Sequence, residues 1–307
     1  MSRNVWLILL SIIMCIIMSI LSPYFLTGAN LIVIIDNMAL EAIVLVGIAL
    51  LLITGFFDIS IDGVVILSGI VAGLIMNAGI SWVLACLAGI MVGAGFGLAN
   101  GILVAKLNIN ALITTMAMLW ISSGMAMGLT KAASPYGFPE AFQVIGQYRI
   151  FGIRAFVLYA IPIILLATFM LNRCVQGRHI FAIGGNRQIA DLVGIKSARI
   201  IINLYVFMGV LASFIGLIMA SRLDSASIVA VDGVAFKVMA ACVVGGCSLS
   251  GGKGTIIGGV LGLVIMSILG NSIVLLGISP HWQKVVVGSV LLSAVLIEKI
   301  NRRVKNV

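Results

Sequence analysis

The chain has 307 residues, 62% of them hydrophobic and only 9% charged, with a formal net charge of +9. A soluble domain carries about 25% charged residues and cannot hide so much apolar surface, so composition excludes an ordinary soluble fold. The basic excess lies between apolar runs, where orientation in a bilayer accounts for it, and nucleic-acid binding is not expected.

Apolar runs bounded by Gly, Pro, Asn or charged residues fall at about 5–21, 38–55, 62–80, 82–105, 109–129, 153–171, 200–220, 234–249, 255–275 and 281–297. A spanning helix needs roughly 20 apolar residues, so the expectation is an all-α integral membrane protein of about ten transmembrane helices in one domain over 1–307. The runs at 62–80 and 234–249 are the least well bounded. The run after Arg3 lacks a small-residue cleavage pattern and reads as the first span rather than a secretory signal. With the N-terminus inside, the inner connections hold Arg3, Lys106, Arg173, Arg178, Arg187, Lys196, Arg199, Lys253, Lys299, Arg302, Arg303 and Lys305; the outer ones hold Lys131, Arg149, Arg154 and Arg222. That asymmetry predicts cytoplasmic N- and C-termini and an even number of spans.

An internal repeat is visible. Asp62-Gly63-Val64 recurs as Asp232-Gly233-Val234, and Asn100-Gly101-Ile102-Leu103-Val104 finds a counterpart in Asn271-Ser272-Ile273-Val274-Leu275 at almost the same separation. Spans 2–5 thus correspond to spans 7–10. A shift by five spans makes the halves cross the bilayer in opposite senses, an inverted repeat of the kind found in transporters.

Two breaks in the apolar pattern take equivalent places in this repeat. Phe56, Phe57, Asp58 and Ser60 follow span 2, and Asp224 and Ser225 follow span 7. If these segments turn back into the membrane, their polar groups line a shared aqueous route; otherwise they are solvated turns and helix caps. Glu41 and Lys237 are charges within or near spans. A midspan lysine costs roughly 2.5–3.5 kcal/mol and has to pair, snorkel or face water.

The longest inner connection, 172–199, reads Gly184-Gly185-Asn186-Arg187-Gln188-Ile189-Ala190-Asp191-Leu192-Val193-Gly194-Ile195 in its middle. Asn186 is placed to cap a two-turn helix, about 185–194, and Gly194 to end it. Ile189, Leu192 and Val193 make an apolar stripe that either lies on the membrane surface and its own spans or docks on another chain.

The pattern Gly184-Gly185-Asn186, Ala190, Gly194-Ile195 resembles the coupling segment of the ribose/xylose/arabinose/galactoside ABC permease family. Two further stretches, Ile53 to Ser60 and Val244 to Gly254, are similar to other signatures of that family, and the similarity runs in order from about 38 to 297. The resemblance implies a permease subunit in the inner membrane that moves a monosaccharide or similar polar solute into the cytoplasm. Its partners would be a separate ATPase subunit, a second permease subunit, identical or homologous, and an extracytoplasmic solute-binding protein, with lipid around the spans. The residues carrying the coupling pattern, Gly184, Gly185, Asn186, Arg187, Ala190, Asp191, Gly194 and Ile195, would meet the ATPase. Phe56, Phe57, Asp58, Ser60, Asp224, Ser225 and Lys237 are the candidates for the solute path. The chain departs from the family in Phe56-Phe57, in Asp62 where a small residue is usual, and in Lys237 where an acidic residue is usual nearby. Nucleoside or branched-chain amino-acid permeases, and an ion-coupled carrier, are the alternatives.

No catalytic residue, metal site or cofactor is expected. His179 and His281 stand without partners at ligand spacing, and the five cysteines form no CxxC pair. The glycine-rich 246–255 segment lacks the first glycine and the Ser or Thr of a phosphate-binding loop. ATP hydrolysis is therefore expected on another chain.

Overall fold

The structure, a computed structural model, describes residues 3–131, 133–227 and 231–305, with side chains described as far as 296 except at 294. It is helical almost throughout. In chain order the helices are α1 (Arg3–Leu21), α2 (Gly28–Ile53), α3 (Ile61–Asn77), α4 (Trp82–Gly101), α5 (Ala111–Thr130), α6 (Glu140–Gln147), α7 (Ala155–Arg173), α8 (Val175–Gly185), α9 (Arg187–Leu192), α10 (Ser197–Leu223), α11 (Val234–Val244), α12 (Ile256–Leu275) and α13 (Trp282–Lys305). A wide π-type turn, Ile102–Lys106, extends α4, and two short strands, Arg149–Ile150 and Ile153–Arg154, form a hairpin before α7.

Each expected span corresponds to one helix, but the lengths differ in an informative way. Among the described residues, seven helices are long and apolar enough to cross a membrane: α1, α2, α4 with its π turn, α5, α7, α10 and α12. The two poorly bounded runs became α3, of 17 residues, and α11, of 11, both apolar and both short. The count of about ten full spans therefore does not carry over directly. α2 also starts ten residues before the apolar run at 38, because Thr27 caps it and its first turns carry Asn30, Asp36 and Asn37. An outward apolar surface marks the membrane-facing helices: α1 exposes Trp6, Ile12, Ile16 and Ile20, and α5 exposes Ile113 and Trp120.

The centre is built from α2 and α10, which are largely buried. They run antiparallel. Tyr205 near the start of α10 donates to the Phe57 carbonyl just past the end of α2 (2.9 Å), whereas Arg222 at the far end of α10 reaches Asn37 in the first half of α2 (3.1 Å). Helix order repeats across them, α2-α3-α4-α5 and then α10-α11-α12-α13. The packing is exchanged: α10 lies on α3 and α4, and α2 lies on α11 and α12. The halves therefore run in opposite senses, as the sequence repeat requires.

The tightest junction is between α4 and α10. Gly89, Gly93, Gly97 and Gly101 recur every fourth residue and form one face of α4, which lets the backbones meet as small residues do in membranes. A Cβ added at Gly93 would collide with the Gly209 carbonyl, and one added at Gly209 with the Gly93 carbonyl. Asp62, in the first turn of α3, caps the other half: its carboxylate accepts from Gly233 N–H (2.9 Å) and Ala235 N–H (3.0 Å) at the start of α11.

Candidate functional site

Two regions at opposite ends of the central helices concentrate the polar chemistry. The first gathers the three motif segments singled out in the sequence. α2 ends at Ile53, whose carbonyl accepts from Gly252 N–H (2.8 Å). Gly184, near the end of α8, sits on the same carbonyl so closely that a Cβ would collide with it. Gly251 and Gly252 have φ of 83° and 73°, a conformation that glycine adopts without strain, and they lie against Gly184 and Gly55. Segments 53–60, 184–195 and 244–254 thus form one junction.

The short helix α9 projects from this junction. Asn186 Oδ1 accepts from Ile189 N–H (3.1 Å), and Gly194 turns the chain at φ 86° after Ala190 and Asp191 close the last turn through Ile195 and Gly194 N–H. Asp191 Oδ1 then accepts from Ser197 N–H (3.2 Å) at the start of α10. α8 adds a second helix where the sequence suggested only one. Ala190 is buried, but Ile189, Leu192 and Val193 are 59%, 85% and 71% exposed, so no described part of the chain covers the apolar stripe. Arg187 points the other way. Its guanidinium donates to Ala105 O (2.6 Å) in the π turn after α4 and to Asn108 Oδ1 (3.1 Å).

Asp58 and Ser60 also belong to this end. Asp58 Oδ1 accepts from the Ser60 amide (2.8 Å) and hydroxyl (2.6 Å), and Ser60 Oγ accepts from Asn100 Nδ2 (2.8 Å), all buried. The network ties the break after α2 to the end of α4. Phe56 and Phe57 pack against the main core.

At the opposite end lies a cavity of about 330 Å³ between α2, α10, α11 and α12. Lys237 lines it and is paired with Glu41 (Nζ–Oε1 2.6 Å), with side-chain exposures of 21% and 12%. Arg222 and Asn37 line it as well, as does Asn271, which exchanges two amide hydrogen bonds with Asn30 (2.8 and 3.1 Å). Asp224 and Ser225 are near this end but outside the cavity wall. Asp224, at φ 50°, accepts from Phe138 N–H (2.8 Å) and Gln143 Nε2 (3.0 Å), and Ser225 bridges to Tyr136, so both fasten the 135–143 segment to α10.

A family model described as "Branched-chain amino acid transport system / permease component" matches residues 24–295. The chain belongs to this permease family. The permease is 37% identical to the ribose import permease protein RbsC of Escherichia coli (strain K12) over 287 residues, which cover 92% of this chain and 89% of the relative. Its identity to RbsC of Bacillus subtilis (strain 168) is 34% over 290 residues, 94% of this chain and 90% of the relative. With the L-arabinose ABC transporter permease protein AraH of Azospirillum brasilense it is 32% over 285 residues, 93% and 84%. No solved structure matches the permease. The resemblance drawn from the three motifs thus extends over nearly the whole chain, and the permease is a multi-pass membrane protein of the ABC-transporter class.

The structure of the permease separates the residues that the sequence proposed for one path. Asp58 and Ser60 meet Asn100 at the motif junction, Asp224 and Ser225 hold an end loop, and Lys237 lines the cavity. Lys237 pairs with Glu41, and Asp232 pairs with Lys284 at the surface. Sequence reasoning passed over Asn30 and Asn37, and it placed Arg222 only in an outer connection and Asn271 only in the repeat. The signal was present in α2, where Asn30, Asn37 and Glu41 recur at separations of seven and four and so share one helical face.

Proposed function

We propose that the chain is the membrane-spanning subunit of an ATP-driven importer that carries a monosaccharide into the cytoplasm across the inner membrane, with both termini cytoplasmic. ATP is hydrolysed on a separate ATPase subunit, which docks on the 184–195 segment. A second permease subunit, identical or homologous, completes the pathway, and a solute-binding protein delivers substrate at the 134–139 end. The names of the ribose and arabinose relatives support a sugar in preference to the amino acids of the family description.

The observation that carries this reading is the exposed stripe of Ile189, Leu192 and Val193 on a helix fixed at both ends and bonded through Arg187 to the π turn behind α4. A partner pressing on the stripe moves α4, and with it α10, because Gly93 and Gly209 leave no slack between them. Asp191 adds a direct link to the start of α10.

The test is Leu192→Glu in the tagged, co-expressed complex. Leu192 touches solvent over most of its surface, so the thermal unfolding of the chain stays as it was while the co-purifying ATPase is lost. Retention of the ATPase by the variant counts against the docking site. Uphill sugar accumulation by the chain alone in liposomes, without ATP or an ATPase, overturns the importer reading itself.

A further inference from the structure

The hairpin that precedes α7 puts a bulky apolar residue where a turn in water would least accept one. Its two-residue loop, Phe151-Gly152, has positive φ at both positions, 51° and 83°, as a type I′ turn requires. Gly152 meets that requirement without cost, and Asn or Asp is the usual residue before it, because a larger side chain is strained there. Phe151 carries the strain and is also fully exposed, more so than any other large apolar side chain among the described residues. Both properties count against a hairpin tip in water and call for a different medium.

Register decides which way the ribbon faces. Ile150 pairs with Ile153 and Arg149 with Arg154, so each pair shares a face and the two pairs lie on opposite faces. Arg154 donates to Asp36 of α2 (2.9 Å), which turns the arginine face toward the helices. Ile150 and Ile153 therefore look outward, and both are exposed. Ala155 N–H closes the base of the ribbon by donating to Tyr148 O (2.8 Å), and α7 starts at Ala155.

Depth follows from α7. Its 19 residues rise about 28 Å at 1.5 Å each, nearly the ~30 Å of a hydrocarbon core, so its ends lie at the two boundaries of that core. Leu158, Ile161, Leu165 and Phe169, at separations of three and four, give it an exposed apolar face. A two-residue strand extends about 7 Å, and the headgroup layer is roughly 5–7 Å deep on each side. The hairpin lies within that layer whichever way it leans.

We propose that the 149–154 hairpin is a membrane-interface anchor, with Phe151, Ile150 and Ile153 seated at the boundary between lipid headgroups and acyl chains. The partner is the bilayer surface itself, continuous with the lipid-facing side of α7. Aromatic side chains favour that layer, where the strained and exposed Phe151 gains what water denies it. Because Arg154 holds Asp36, the anchor also fixes the first half of α2 relative to the bilayer. The inference is independent of the solute carried and of the ATPase.

The test uses the full-length chain in phosphatidylcholine vesicles, with Cys15, Cys86 and Cys174 replaced by serine and the buried Cys242 and Cys247 retained. An environment-sensitive fluorophore is attached at Ile150→Cys, and at Tyr136→Cys as the exposed comparison. Lipid carrying a nitroxide high on its acyl chain quenches from within the bilayer, and iodide quenches from water. The nitroxide lipid is expected to quench Ile150→Cys about threefold more than Tyr136→Cys, with iodide showing the reverse order. Phe151→Asn supplies the Asn-Gly pair that this turn prefers in water, so thermal unfolding in detergent is not lowered, while lipid quenching at Ile150→Cys falls by about half. Iodide quenching that exceeds lipid quenching at Ile150→Cys overturns the anchor, as does lipid quenching that Phe151→Asn leaves unaltered. A label shielded from both quenchers marks a protein contact at the hairpin, a second copy of the chain included, and overturns it equally.

Discussion

Glu41 and Lys237 show how a single residue pair makes sense only when burial and partner are considered together. Each is mostly buried, and each alone would be a charge without a counterion in an apolar setting. Removing one partner therefore costs more than removing both. Lys237→Met is expected to destabilise the chain by roughly 3–5 kcal/mol, the scale for an orphaned buried charge, because the Glu41 carboxylate stays behind. The Glu41→Leu/Lys237→Leu double variant recovers most of that loss. Thermal unfolding in detergent measures both, and a double variant no more stable than Lys237→Met shows that the pair does not act as a unit. Asp58 offers a contrast. Its acceptors are filled by Ser60 and Asn100, so it fixes the break after α2 and has little left to offer a solute.

Among the elements, the α4–α10 junction depends on what is missing from α4. The glycines on its inner face let two backbones touch, and any side chain there has nowhere to go. Gly93→Leu should lower the unfolding temperature by several degrees, since overpacking costs about 1–3 kcal/mol and here the obstacle is backbone. Gly95→Leu, two residues on with nothing within 4 Å of its added Cβ, should behave as wild type. Equal effects at the two positions would mean that helix propensity, not contact, sets the response. This junction was only partly legible in the sequence. The fourfold glycine spacing can be read directly, but its partner on α10 is 116 residues away from Gly93 at Gly209, and nothing local in the pattern names it. Legibility was high where one rule dominates, as with the apolar runs that became helices, and with Asn186 and Gly194 at the ends of α9. It was low where two elements share a job. Apolarity could not show that α3 and α11 are shorter than the other apolar helices, because a buried short helix and a membrane-facing long one are equally apolar. Nor could it pair Lys237 with Glu41, which stands 196 residues earlier.

At the scale of the molecule, the inverted arrangement converts two equivalent sequence breaks into two inequivalent ends. The break after α2 joins the 184–195 and 244–254 segments, whereas the break after α10 joins the 135–143 segment and the rim of the cavity. The cavity between α2, α10, α11 and α12 and the exposed apolar stripe of α9 thus lie at opposite ends of the central helices. Motion between them has a rigid carrier in the antiparallel α2 and α10, each packed on helices of the opposite half. The arrangement makes a topological demand that can be checked directly. In sealed right-side-out membrane vesicles, an impermeant maleimide should label Tyr136→Cys from outside and leave Leu192→Cys untouched until the membrane is opened. Both positions are well exposed, at 76% and 85%, so burial cannot explain a difference between them. Labelling of both from the same side would place the cavity end and the docking helix on one face of the membrane, and no lever running along α10 from one face to the other would survive that result.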